Sequence, residues 1–271
     1  MTTVSIIVPC YNHGLFLQDA LNSVRKILTP YPYEIIIIND GSTDEHTTKV
    51  LNSLEEEGYQ ILHQQNQGLA AARNNAISIA KGKFIIPLDS DNKLHKNYLT
   101  KAVEILEDKP EVDVVYGNPV FFGDEEGVKS IGEFSISKIL ACNYIDACSV
   151  FRKKLWEKLG GYDGNMPAMG NEDWEFWIHA FFKGAKFIYL NELCFYYRVL
   201  ATSMTMTTTR PGGIMNTEYI YKKHALPIIH QLVRDLNNHM LLSDYLKKYR
   251  YRAAFKLAAG YKNLNDTVQL S

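Results

Sequence analysis

Between Val4 and Asn92 the chain carries four short apolar runs, each broken by polar residues at its carboxyl end and separated from the next by a segment of helical period. The runs are Val4–Pro9 (V-S-I-I-V-P), Glu34–Ile38 with its four consecutive isoleucines, Tyr59–His63 and Phe84–Leu88. Strands covered on both faces read as near-continuous apolar stretches, and strands alternating with helices build parallel, doubly wound sheets. The expected fold is therefore α/β. In an open sheet of this kind ligands collect beyond the carboxyl ends of the strands, so the residues that end the runs should share one crevice.

The segments between the runs support that order. Leu17, Ala20, Leu21, Val24, Ile27 and Leu28 form one helical stripe that stops before Pro30. Ser42 and Glu45 have capping-box spacing for a second helix, and Gly68–Lys81 is an alanine-rich third helix carrying Arg73 and Asn74. Pro87 removes a ladder donor and is tolerated because it lies where its strand leaves the sheet. Further on, the patterns predict a helix over Tyr98–Glu107, strands over Val112–Phe122 and Tyr144–Phe151, and a helix over Lys153–Leu159 ended by Gly160-Gly161. An aromatic helix over Glu172–Lys183 and strands over Lys186–Leu190 and Cys194–Val199 follow. Ala201–Gly213 has no period and is expected to be a lid that orders over a ligand, with helices from Ile214 onward.

Charge and cysteine usage narrow the setting. The net charge of −1 gives no reason to expect nucleic acid as a partner. From Tyr221 onward nine Lys/Arg stand against three Asp/Glu, while residues 1–220 hold the acidic surplus. That basic, aromatic-interleaved segment is expected to be helical, either packed on the preceding domain with a solvated basic face or in peripheral contact with an anionic membrane. Cys10, Cys142, Cys148 and Cys194 form no paired motif, which points to reduced thiols. No signal peptide precedes the first strand and no apolar run reaches the ~18 residues of a membrane span. A cytoplasmic protein, peripheral at most at the inner face of the membrane, is the expectation.

The chemistry concentrates where the fourth run stops at Asp89-Ser90-Asp91. Two carboxylates one residue apart suit a hard cation such as Mg²⁺ or Mn²⁺, which completes its shell with water and phosphate oxygens. The other run ends supply Tyr11-Asn12, Asp40-Gly41-Ser42 and Arg73-Asn74, and Glu172-Asp173-Trp174 opens the aromatic helix. In this order and spacing the set resembles the family 2 inverting glycosyltransferases of the GT-A fold, over roughly residues 4–205. Ile145-Asp-Ala-Cys-Ser-Val-Phe151 and Gly160-Gly-Tyr-Asp163 look like that family's acceptor side.

The resemblance implies a Rossmann-like, mostly parallel sheet with helices on both faces over residues 1–213, plus a basic helical extension over 214–271. Residues 1–92 would be the nucleotide-binding half and 93–213 the acceptor half. It implies a nucleotide-sugar donor, UDP-linked before GDP- or TDP-linked, and a glycan or lipid-linked acceptor. Pro9, Tyr11, Asp40, Arg73 and Asp89 would bind the nucleotide, Asp91 with Asp89 would hold Mg²⁺ or Mn²⁺, and Asp173 would be the general base. Glu172, Trp174 and Arg198 would contact diphosphate or acceptor. Asn92 stands where a further Asp is frequent in the family. Asp173 sits between two opposed influences, since an aromatic surrounding raises a carboxyl's pKa and a helix N-terminus lowers it. Two rival readings remain: a nucleotide-sugar-binding module without turnover, and a nucleotidyltransferase on a similar fold. The latter should carry a glycine-rich phosphate loop with a basic residue after the first strand, which Pro9-Cys-Tyr-Asn-His-Gly14 lacks.

Overall fold

The computed structural model describes residues 2–200 and 210–238. The chain divides into two compact units, Met1–Tyr219 and Ile220–Ser271. The first unit begins β1 (Val4–Cys10), α1 (Gly14–Arg25), β2 (Tyr33–Asp40), α2 (Glu45–Glu56), β3 (Gln60–Gln64), α3 (Leu69–Ile79) and β4 (Phe84–Pro87). It continues with β5 (Lys93–Leu94), α4 (Tyr98–Asp108), β6 (Val114–Gly123), β7 (Gly127–Val128), α5 (Ile136–Ala141) and β8 (Val150–Arg152). Then come α6 (Lys153–Leu159), α7 (Glu172–Phe182), β9 (Phe187–Val199) and α8 (Arg210–Lys223). Residues 225–238 are helical.

Among the described residues the strands form one sheet in the order β3-β2-β1-β4-β8-β6-β9-β5, with β7 beside β6. The expected parallel ladder holds from β3 through β4. Beyond it β8 runs antiparallel to both β4 and β6, and β6 and β9 are parallel to each other. All seven residues of β1 are buried at the centre of this sheet. The stripe Leu17, Ala20, Leu21 and Val24 of α1 and Leu99, Ala102, Val103 and Leu106 of α4 pack into the same core, each fully buried. Each large aliphatic side chain buried in this way contributes about 1.5–3 kcal/mol.

Several local expectations are revised. Asp44, not Ser42, caps α2, its carboxylate accepting from His46 N (2.9 Å) and Thr47 N (3.1 Å), while Ser42 Oγ accepts from Asn12 N. Of the strand expected over Tyr144–Phe151 only the end is extended. Asp146 accepts from Cys148 N and Ser149 Oγ donates to Asp146 O, a side-chain turn that outcompetes pairing although its neighbours are buried. The two expected strands after Lys186 are the single β9, because register shifts against β6 between Gly117 and Pro119 absorb the polar break. Pro87 behaves as expected: Leu88 N donates to Ile7 of β1, so Pro87 turns its missing donor to the side where β8 pairs only with Phe84 and Ile85.

Cys10, Cys148 and Cys194 are buried and Cys142 is exposed, all four free. Of the segment expected as a lid, residues 201–209 lie outside the described residues, and Arg210–Gly213 belongs to α8, with Pro211 in its first turn. The basic residues Lys247 to Lys262 also lie outside the described residues. No described helix is long and apolar enough to cross a membrane.

Candidate active site

The carboxyl ends of β1, β2 and β4 open into a cleft of about 840 Å³, and Pro9, Tyr11 and Asp40 line its first side. Loop geometry there depends on Asn12, a non-glycine residue at φ 55°. Its side-chain oxygen accepts from Thr43 N (2.8 Å) and Asp44 N (3.1 Å), which laces the loop after β1 to the loop after β2. Tyr11 is left 43% exposed in the cleft. Asp40 is buried and already heavily engaged: Oδ1 accepts from Gln64 Nε2 (2.6 Å) and Gln67 N (2.8 Å), and Oδ2 from Gly68 N (2.9 Å). A carboxylate offers about four acceptor positions, so about one on Oδ2 is left for a ligand. Gly41 permits this closeness, since at φ 72° a Cβ would lie 2.6 Å from Asn66 N.

The centre of the site is Arg73, 1% exposed in the middle of α3. One guanidinium nitrogen donates to Asp89 Oδ1 at the exit of β4 (2.6 Å), and the other donates to Glu172 Oε1 at the start of α7. Its Nε is buried without a hydrogen-bond partner, and the guanidinium lies 5.7 Å from the Tyr162 ring. A single buried cation thus joins two acidic motifs, one in each half of the chain. The neighbouring Asn74 holds the loop behind it: Oδ1 accepts from Tyr162 N (2.8 Å) and Trp156 Nε1 (2.9 Å), and Nδ2 donates to Tyr162 O (2.8 Å). Gly161, at φ 89°, lets that loop close, because a Cβ would stand 2.7 Å from Asn74 Oδ1.

Arg73 does not compensate every acid in the cleft. Burial, and then the charge of Asp89, push Asp91 above the usual carboxylate range. Asp173 is pushed up to about 7, first by burial and then by Glu172, with Arg73, Asn143 and its own helix turn opposing. Burial therefore overcomes the helix N-terminus. Asp173 Oδ1 accepts from Asn143 Nδ2 (3.0 Å) and Trp174 N (2.8 Å), which aims its carboxylate into the cleft it lines. Asp146 lines the same cleft and is pushed up to about 8 by burial and by Asp89. Sequence reasoning did not single out Asp146 or Asn143. The Asp-x-Cys-Ser turn inside an apolar stretch was the available signal for the first; nothing local marked the second.

Eight of the expected site residues (Pro9, Tyr11, Asp40, Arg73, Asp89, Asp91, Glu172 and Asp173) line this one cleft. Two do not. Trp174 is 5% exposed and donates its indole N–H to Ile139 O, so it packs in the aromatic core of α7. Arg198 lies between the rings of Phe16 and Phe122 at 4.6 and 4.4 Å, pairs with Asp19, and donates Nε to Asp91 O (3.0 Å). It braces the acidic turn from behind. Asn92 does likewise, accepting from Arg198 N (2.9 Å), so the position where a further Asp is frequent ties β9 to the turn.

A divalent cation fits this donor set. Arg73 occupies one oxygen of Asp89, and Asp91 carries a carboxyl raised by an adjacent carboxylate, a repulsion that a dication relieves. Among the described residues no group of three or more metal-ligating side chains is brought together.

Residues 5–165 match the family model described as glycosyl transferase family 2. The chain is 26% identical over 240 residues to glycosyltransferase GlyG of Streptococcus pneumoniae serotype 4, covering 80% of this chain and 74% of that protein. It is 31% identical over 238 residues to chondroitin synthase of Pasteurella multocida, covering 85% of this chain but 23% of the synthase. Putative glycosyltransferase EpsH of Bacillus subtilis is 36% identical over 121 residues, 42% of this chain and 33% of the relative. The chain thus spans anything from a quarter to three quarters of these relatives. Among solved structures, S. aureus TarS 1-349 in complex with UDP-GlcNAc superposes with a TM-score of 0.63 at 21% identity, covering 76% of this chain and 61% of that one. The same fragment with UDP gives 0.61.

Proposed function

Since the chain belongs to glycosyl transferase family 2, we propose that it transfers a sugar, with inversion, from a nucleotide-diphosphate donor to a hydroxyl of a glycan or lipid-linked acceptor. A UDP-sugar is the favoured donor, in keeping with the UDP and UDP-GlcNAc complexes of the structurally similar TarS. The observation that carries the reading is the Arg73 bridge, which sets the acid at the exit of β4 and the acidic start of α7 on one cleft.

The base of the donor would lie against Tyr11 and Pro9, which line the cleft, with the remaining acceptor position of Asp40 available to an N–H. Asp89 and Asp91 would hold Mg²⁺ or Mn²⁺, which when bound supplies Lewis-acid stabilisation of the departing diphosphate. Asp173 takes the proton of the acceptor hydroxyl as its oxygen bonds to the anomeric carbon and the bond to diphosphate breaks on the opposite face. A carboxyl held near 7 is half-ionised at neutral pH and strong enough as a base for this step, a contribution worth about 10²–10⁴-fold. Arg73, by fixing Asp89 and Glu172, keeps the two sides of the displacement in register.

Asp173→Asn tests the assignment. It preserves size and the bonds to Asn143 and the helix turn but cannot accept a proton. Transfer is expected to fall by about 10²-fold or more, with UDP affinity by calorimetry nearly unchanged. Near-parental turnover would move the base elsewhere. Donor hydrolysis by the parent protein separates an enzyme from a binding module.

A further inference from the structure

The turn that presents Asp173 is held from outside the cleft. Asn171 precedes α7 in the left-handed region, φ 63°, with no capping bond from its side chain to the helix. A non-glycine residue stays in that region when its surroundings over-determine it. Here the surroundings are one side chain of α8. Asn216 is fully buried; its Nδ2 donates to Gly170 O (2.9 Å), Ala168 O (3.2 Å) and Asn171 Oδ1 (3.3 Å), and its Oδ1 accepts from Ala168 N (2.9 Å). One amide therefore ties both strands of the 168–171 turn, and the next two residues are Glu172 and Asp173. Ala168–Asn171 has no regular secondary structure of its own to fix where α7 begins.

We propose that Asn216 is a positioning residue for transfer: by locking the Ala168–Asn171 turn it sets the origin of α7, and with it the carboxylate of Asp173 in the cleft and that of Glu172 on Arg73. This rests on the reading of Asp173 as the base. A base must stand within hydrogen-bond reach of the proton it removes, and a shift of about 1 Å at such a group costs about 10²-fold in rate. The donor side of the cleft is built on β1, β2 and β4 and does not touch the 168–171 turn through any of these four bonds. Arg73 keeps its direct bond to Asp89, so loss of Asn216 should fall on turnover more than on donor binding. Another α8 residue supplies the comparison: Tyr219 donates its hydroxyl to Asp163 Oδ2 (2.8 Å), anchoring the same helix away from the turn.

The experiment is steady-state transfer by the full chain with one donor–acceptor pair, for Asn216→Ala, Asn216→Ser, Tyr219→Phe and Asp173→Asn, with UDP affinity and thermal midpoint measured on each. Asn216→Ala is expected to lose about tenfold or more in kcat while donor KM and UDP affinity stay within about twofold. Asn216→Ser, which keeps one hydroxyl donor for a turn carbonyl and the smaller change in shape, should fold and fall between parent and alanine variant. Tyr219→Phe should keep kcat. The proposal is overturned by folded Asn216 variants with parental kcat, or by an equal loss in Tyr219→Phe, which would reduce Asn216 to one more anchor of α8. An inactive Asp173→Asn beside an active Asn216→Ala removes the positioning role alone; an active Asp173→Asn removes the base assignment itself.

Discussion

Glu172→Gln deletes one charge while keeping the side chain's shape, and so isolates what that charge does to Asp173. Burial is the first cause that raises Asp173 to about 7 and Glu172 the second, with Arg73 pulling down. Neutralising Glu172 removes the second cause while the pull of Arg73 persists, so the pKa of Asp173 falls. Two neighbouring unit charges at an effective dielectric of about 20 repel by a few kcal/mol, and screening in an open cleft reduces this, leaving about one pH unit. A base acts when deprotonated, so the acid limb of kcat/KM should move down by about one unit from near pH 7. Stability should suffer modestly. Arg73 keeps Asp89 at 2.6 Å, and the glutamine carbonyl still accepts from the other nitrogen. The loss is that of one charge-assisted component, about 1–2 kcal/mol in a urea titration. The assay is transfer at subsaturating substrate, giving kcat/KM across the pH range, with the folded fraction checked at each point. An acid limb that stays in place or moves up refutes the coupling. A pH-independent collapse of kcat/KM in a stable variant would mean that Glu172 itself takes part in the chemistry.

The opposite deletion is harsher. Arg73→Met leaves the 6%-exposed side chain of Glu172 as a buried charge without its cation, and should cost about 3–5 kcal/mol of unfolding free energy, partly recovered when Glu172→Gln is added. Asp91→Ala should lose most of the UDP affinity and all of its dependence on Mn²⁺ by calorimetry; undiminished metal-dependent binding removes Asp91 from the site. Stability should also fall as pH rises. Asp173 and Asp146 are raised to about 7 and about 8 from an ordinary 3.8, so between those limits the folded chain retains protons that the unfolded chain has released. The penalty is absent below the ordinary value and complete above about 8. Asp146→Asn should flatten the upper part of this slope and raise the thermal midpoint most at the alkaline end; a midpoint unchanged at every pH shows that Asp146 is solvated in the folded state.

What was legible in the residues follows from what local patterns encode. The apolar runs disclosed β1, β2 and β4 because burial on both faces leaves a compositional mark, and Lys153–Leu159 is α6 with the expected glycine at its end. The acidic exit of β4 was visible because a run stops there. Arg73 was legible as a site residue but not as the bridge it forms, since its partner Glu172 lies 99 positions away and helix period says nothing about which distant strand end a side chain will meet. The stretch around Asp146 looked extended because its neighbours are buried, and only the side-chain turn onto Cys148 N distinguishes it from a strand. Trp174 and Arg198 carry residue types suited to sugars and phosphates, yet topology places the first in the core and the second behind the acidic turn.

The same topology explains why the ionisation of Asp173 could not be read from sequence. A carboxylate at the start of a helix is usually stabilised in its charged form by the free N–H groups there. Asp173 does accept from Trp174 N, so that influence is present. It loses first to burial and then to the charge of Glu172, in a cleft where Asp89, Asp146, Glu172 and Asp173 share a single guanidinium. One positive charge cannot neutralise four acids, and the surplus is carried by the two carboxyls that Arg73 does not touch directly. Those are Asp146 and Asp173, and of these Asp173 stands on the first turn of a helix preceded by a turn to which Asn216 is hydrogen-bonded. General-base catalysis would need a raised carboxyl on a fixed origin, so if Asp173 is the base proposed above, the crowding that weakens the fold at neutral pH also serves the proton transfer.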